Sequence, residues 1–239
     1  MPPIRNLLLA SLPRTAWEEL LPQLIAVDLV FGQVLYEPGQ PMRDVYFPLG
    51  GMVSLLALAG GPFVLGVGMV GREGVVGIPL ALGVTRSPMR ALVQGGGTAL
   101  RMSRRHFEAV MQERPIVRKL LLGYANTLMG QIARTAACNR FHVVEERLAR
   151  WLLMTRDRAG SADFLMTQEF LSGMLGVRRV GVSEAASTFQ RRKLIEYSRG
   201  HIRILDHAGL EAACCTCYGD EPPTLPPWRP EPTASLATS

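Results

Sequence analysis

The period of the apolar positions changes twice along this chain. Between about Leu12 and Leu24, residues Trp17, Leu20, Leu21 and Leu24 share one side of a short helix. From Asp28 to Met102, short apolar runs alternate with turn signals. The pattern predicts strands over Asp28–Phe31, Val34–Tyr36, Val45–Pro48, Met52–Ala57, Phe63–Met69, Arg90–Gln94 and Thr98–Met102. Glu37-Pro38-Gly39, Gly50-Gly51 and Gly60-Gly61-Pro62 punctuate them. Short strands at this spacing predict an all-β sandwich or jelly roll.

Helical text follows. Ser103 is an N-cap for a short helix over Arg104–Met111. Pro115 opens a segment to Asn139 that would run about 35 Å as a helix. Along it Val117, Leu121, Leu128 and Ile132 form a broken seam near coiled-coil spacing, which predicts dimerisation; packing of this helix on its own β domain is the alternative. Val144–Arg158 reads as an amphipathic helix with Leu148, Trp151 and Leu152 inward, broken at Ala159-Gly160-Ser161.

The segment Thr167–Leu205 carries the candidate chemistry. Thr167 caps a helix whose apolar face is Phe170, Leu171, Met174 and Leu175, and Gly176-Val177 makes a tight turn. In the next helix, over Arg178–Lys193, residues Val182, Ala185, Ala186 and Phe189 form one inward stripe. Val180, Ser183, Glu184, Ser187 and Arg191 then point away, with Arg178 and Arg179 at the amino end. Two helices joined by a glycine turn predict a helix-turn-helix, whose second helix reads DNA through its first turns. Arginine suits that place because its fork bonds guanine bidentately. Leu194–Leu205 reads as a hairpin, or wing, that brings Arg199 and His201 to phosphate. Plain packing of the two helices, with solvated arginines, is the alternative.

Composition changes this picture little. The chain has 239 residues and a formal net charge of +6, which permits a polyanionic partner without specifying one. No charged residue lies between Asp44 and Arg72, yet Pro48 and a series of glycines cut that stretch into strand-length pieces, so no membrane span is expected. Met1-Pro2-Pro3-Ile4-Arg5 lacks the features of a signal peptide, and a cytoplasmic location is expected. The prolines between Asp220 and Ser239 predict a disordered tail. All four histidines (His106, His142, His201, His207) lie outside the strand region Asp28–Met102, and no nucleophile–base pair or phosphate loop is evident, so no enzyme activity is expected.

Over roughly residues 6–213 the layout resembles the Crp/Fnr family of bacterial transcription regulators. Three pieces carry the resemblance: Gly32–Gly39 with Val45–Ser54, the helix text Val144–Leu152, and Thr167–Arg179, which matches the family's helix-turn-helix without a gap. The resemblance implies an α+β chain: a cyclic-nucleotide-binding-like β-roll sensor over residues 1–113, a central dimerisation helix over 114–142, a winged helix-turn-helix over 143–219, and the tail over 220–239. It implies a homodimer on a pseudo-palindromic operator, with double-stranded DNA and RNA polymerase as partners and no membrane. Arg179 matches an arginine that family members set on a guanine. Val180 and Glu184 depart from the family pattern, so the operator does not carry over.

The implied effector pocket is degenerate. Gly77-Ile78-Pro79 stands where cyclic-nucleotide members have Gly-Glu-Leu, and Ser87-Pro88 stands at their phosphate-binding Arg-Ser. Arg90 lies three positions later, and Ile132-Ala133 replaces the Thr-Ser that meets the base. A buried phosphate without its arginine is an unpaired charge, so cyclic AMP is not expected as effector. No cysteine precedes Cys138, against an N-terminal iron–sulfur cluster, and His106 and His142 are expected on helix surfaces, against haem. No cofactor is expected. Cys214, Cys215 and Cys217, with His201 or His207, form a weak candidate metal or thiol sensor against a reading as free thiols. A cyclic-nucleotide-binding adaptor with a purely structural helix-turn-helix is the alternative function.

Overall fold

The computed structural model describes residues 5–58, 60 and 64–219. The tail over 220–239, expected to be disordered, lies outside the described residues, as do Gly61, Pro62 and Phe63 of one expected turn and strand.

Two short helices come first, α1 (Leu7–Ala10) and α2 (Arg14–Leu20), followed by a 3₁₀ turn over Leu21–Gln23. The single helix expected over Leu12–Leu24 is therefore corrected. Pro13 cannot continue α1 and serves instead as the N-cap of α2. Leu21 is exposed as a result, while Trp17 and Leu20 are buried.

Seven antiparallel strands build the β-roll: β1 (Ile25–Leu29), β2 (Val34–Tyr36), β3 (Asp44–Pro48), β4 (Met52–Leu58), β5 (Val64–Val70), β6 (Arg90–Gly95) and β7 (Gly97–Ser103). One sheet has the order β1-β7-β3, the other β2-β6-β4-β5. The first strand lies earlier than expected, because Val30 and Phe31 are exposed in the turn at Gly32.

The four-stranded sheet explains the uncharged stretch after Asp44. Alternation along β4 sends Val53 and Leu55 into the core between the sheets, and Met52 and Leu56 to the opposite face. That outer face is also covered, so both faces demand apolar residues. On it Ser54 bonds Gln94.

Helix α3 (Arg104–Glu113) starts at Ser103, whose hydroxyl accepts from the His106 N–H. Pro115 is the first residue of α4 (Pro115–Phe141). Gln131 of α4 accepts the Met69 N–H at 2.7 Å and so satisfies a donor on the sheet's edge strand, β5. The expected dimer seam is corrected here. Val117, Leu121 and Leu128 are buried in the β-roll core with Tyr124 and Ala125, and Ile132 packs half-buried against it.

The rest of the described chain is α5 (Val144–Ala159), β8 (Asp163–Leu165), α6 (Gln168–Leu175), α7 (Arg179–Arg191), β9 (Ile195–Ser198), β10 (His201–Ile204) and α8 (His207–Ala212). Strand β8 was not foreseen; it completes a sheet of order β8-β10-β9. Leu148, Trp151 and Leu152 of α5 are buried as expected, in one cluster with Met52, Leu56 and Met69 of the β-roll. A Cβ at Gly66 would stand 2.8 Å from the Trp151 ring, so β5 accepts α5 only through glycine. Arg158 of α5 pairs with Glu73 at 2.8 Å, largely out of water, beside this contact.

Candidate nucleic-acid interface

Local chemistry fixes the two helices of the motif. The Thr167 hydroxyl accepts the Phe170 N–H at 3.1 Å and starts α6. Leu171, Met174 and Leu175 are buried, and Gly176, at φ 60°, ends the helix in the left-handed region. A side chain there would also meet Leu65 of β5, 2.8 Å away.

Helix α7 buries Val182, Ala185, Ala186 and Phe189, all at 2% exposure or less. The stripe turns the other side of α7 to solvent, where Arg179, Val180, Glu184, Ser187 and Arg191 are exposed. Arg178, also exposed, is the N-cap residue, and no side chain caps the helix. The positive end of the helix dipole therefore stands open between two arginines. Ser183 is half-buried, because its hydroxyl donates to Gln168 Oε1 at 2.8 Å. The same oxygen accepts from Arg179 Nε at 3.3 Å. Gln168 thus ties the first residue of α6 to the outward face of α7. Sequence reasoning passed over it; its only signal was a polar residue with a flexible reach right after the N-cap.

Arg199 and Gly200 form the turn between β9 and β10, with φ of 49° and 82°. Arg199 and His201 are exposed on this wing, as is Thr167 beside it. The Met166 N–H donates to the Gly200 carbonyl at 2.5 Å, which joins the wing to the start of the motif. The DNA-facing set read from the sequence is thus exposed on connected elements, apart from the partly covered Ser183. Arg192 and Lys193 add positive charge at the far end of α7.

The residues of the implied effector pocket divide. Gly77, Ile78, Ser87, Pro88 and Ile132 line a cavity of about 170 Å³ with Leu55, Val70, Ala125 and Leu128. Two residues are corrected. Arg90 turns away to pair with Glu37 at 3.0 Å, and Ala133 is exposed, one helical step around α4 from Ile132. Polar groups at the cavity are already engaged: the Ser87 hydroxyl donates to the Met89 carbonyl at 2.5 Å, and Tyr36 donates to the Asp44 carbonyl. Burial, with Tyr46 and Asp44 beside it, holds the Tyr36 phenol well above its usual range, so it stays neutral. Among the described residues no charged side chain lines the cavity.

The C-terminal cysteines also divide. Cys214 points its sulfur at the Glu146 carbonyl, 3.8 Å away. Cys215 instead reaches Cys138 at 3.6 Å, and Cys217 reaches His142 Nδ1 at 3.6 Å. Neither His201 nor His207 takes part; His207 lies 3.9 Å from Glu211. His142 is half-buried at the end of α4 and not on a free helix surface. Burial and the neighbouring Cys215 push the Cys138 thiol up to about 12, against the pull of Arg150.

Among the described residues no helix is long and apolar enough to cross a membrane. Residues 146–213 match the Crp-like helix-turn-helix domain family. No curated protein matches the chain. Among solved structures, FixK2 of Bradyrhizobium japonicum is similar with a TM-score of 0.67 at 16% identity, over 80% of this chain and 98% of that one. The c-di-GMP-responsive global regulator CLP of Xanthomonas campestris gives 0.67 at 15%, over 81% and 100%. A Crp/Fnr-family transcriptional regulator of Thermus thermophilus gives 0.65 at 21%, over 79% and 97%. With the exposed face of α7 and the wing beside it, these likenesses identify residues 146–213 as a Crp-like helix-turn-helix domain, set on the β-roll and long helix of the Crp/Fnr transcriptional-regulator fold.

Proposed function

We propose that the chain is a DNA-binding transcriptional regulator that acts as a homodimer on a pseudo-palindromic operator and answers to an uncharged, apolar effector. The observation that carries this reading is the amino end of α7. Arg178 and Arg179 stand exposed there while the opposite stripe of the helix is buried. A helix so oriented enters the major groove with its first turn leading, and Arg179 has the fork geometry for a guanine edge.

The homodimer is supported by the other side of α4. Leu122, Asn126, Met129, Ala133, Ala136 and Arg140 are all exposed. They recur at alternating steps of four and three, which is heptad spacing, and one asparagine in such a seam favours a single register. The effector class is supported by the apolar lining of the cavity beside α4, which offers a phosphate no cation.

The test selects operator DNA from random duplexes with the purified full-length protein and follows binding by fluorescence anisotropy. Affinity should fall steeply with salt. Arg179→Ala should cost about 1–3 kcal/mol and relax preference at one base position per half-site. Weak binding without sequence preference, indifferent to Arg179→Ala, would leave the adaptor reading standing instead.

A further inference from the structure

Two distant segments converge at the end of α4. Cys138 and His142 are four residues apart and share one side of its last turns, while Cys215 and Cys217 come from the chain after α8. The three sulfurs and one ring nitrogen all lie within 4.8 Å of one another, and the two measured contacts across the segments are each 3.6 Å. Zinc bonds sulfur at about 2.3 Å and imidazole nitrogen at about 2.0–2.1 Å, so a tetrahedral shell holds its donors roughly 3.5–3.8 Å apart. The observed gaps match that shell. Three sulfurs and one histidine are also a donor set that selects zinc over the hard cations bound by oxygen.

The charge around the cluster points the same way. Arg150 of α5 is 3% exposed and Arg147 is 9% exposed. Arg150 donates to Thr135 Oγ1 and to the Cys217 carbonyl, each at 3.3 Å, but its Nη2 has no partner. Arg147 bonds the Leu175 carbonyl, and its Nε has no partner. Among the described residues no carboxylate pairs with either guanidinium. A buried cation without an anion is costly. Three neutral thiols offer it nothing, whereas three thiolates around a divalent ion carry one net negative charge.

We infer that Cys138, His142, Cys215 and Cys217 form a zinc site that clamps the end of the long helix α4 to the chain following α8. The site spans the elbow between α4 and α5, so the ion fixes the direction in which the winged helix leaves the central helix. Cys214, whose sulfur contacts the Glu146 carbonyl at 3.8 Å and lies outside the group of four donors, is not a ligand.

The full-length protein, purified under reductant, should carry one zinc per chain by mass spectrometry of its metal content. After chelation it should bind Co²⁺ with the visible bands of a tetrahedral thiolate site, and Zn²⁺ should displace the cobalt. Cys217→Ser should lose more than the roughly 10–100-fold in zinc affinity that altering an outer-shell partner costs. Cys214→Ser should keep stoichiometry, bands and affinity, and circular dichroism checks that both variants are folded. Chelation should lower the thermal midpoint of the native protein and of Cys214→Ser, but not that of Cys217→Ser. Three results would each overturn the site: zinc binding no tighter than in Cys217→Ser, equal loss in Cys214→Ser, or a Cys138–Cys215 disulfide in protein that takes up no zinc once reduced.

Discussion

At the tip of the wing an arginine occupies a backbone conformation that arginine does not favour. Arg199, at φ 49°, precedes Gly200 at 82° in the two-residue turn between β9 and β10. Such turns prefer asparagine or glycine at the first position, and another residue there costs about 1 kcal/mol. Among the described residues nothing offsets that cost, since the side chain is exposed. A phosphate contact would. Arg199→Asn should therefore leave the thermal midpoint equal or higher while weakening binding to all duplexes alike. The slope of log affinity against log salt should fall by about 0.9, one phosphate contact; unchanged binding in anisotropy titrations would remove Arg199 from the interface. Residues of this kind were legible in the sequence, because a 3.6-residue period fixes what faces out from α7. Arg90 was not. Its direction depends on Glu37, a partner across the sheet that no local pattern announces. His142 was misread for the same reason: its neighbour Cys217 is distant along the chain.

Among the elements, α4 shows how a strong pattern hides a weak one. Val117, Leu121 and Leu128 are large apolar residues of the helix, and the β-roll core takes them. The face left to solvent mixes Leu122 and Met129 with smaller or polar residues, and its heptad spacing shows only after the first seam is assigned. The two faces predict opposite phenotypes. In the proposed homodimer Ala133→Glu would place like charges against each other across the two-fold axis, and should shift the protein towards monomer in sedimentation velocity with its secondary structure intact. Leu121→Ala, at a position 1% exposed, should instead cost about 2–5 kcal/mol of folding stability by denaturant titration and leave the assembly state of the folded protein unchanged. A dimer that survives Ala133→Glu would move the interface elsewhere. The strands, by contrast, were legible nearly to their ends, since Gly50-Gly51 and Gly60 still mark turns between runs that must be apolar.

For the whole molecule, the order of elements was readable and their docking was not. The uncharged stretch after Asp44 announced buried strands, but only the structure shows a sheet covered on one face by β1-β7-β3 and on the other by helices of the helix-turn-helix domain. The cavity beside α4 follows from the same arrangement. It lies between the four-stranded sheet, the segment around Ile78 and α4, and presents carbon where a cyclic phosphate needs a cation. Calorimetry should thus detect no saturable binding of cyclic AMP in the micromolar range, and saturable heats there would refute the apolar assignment. Met52, Leu56 and Met69 belong to the β-roll strands by sequence yet sit in the same apolar cluster as Trp151 and Phe189. Uncovering three such side chains costs about 1.5–3 kcal/mol apiece, a sum comparable to the net stability of about 5–15 kcal/mol of a typical domain. The two halves should accordingly melt as one cooperative unit, and a proteolytic fragment lacking the β-roll would carry a sticky patch where its missing half had been.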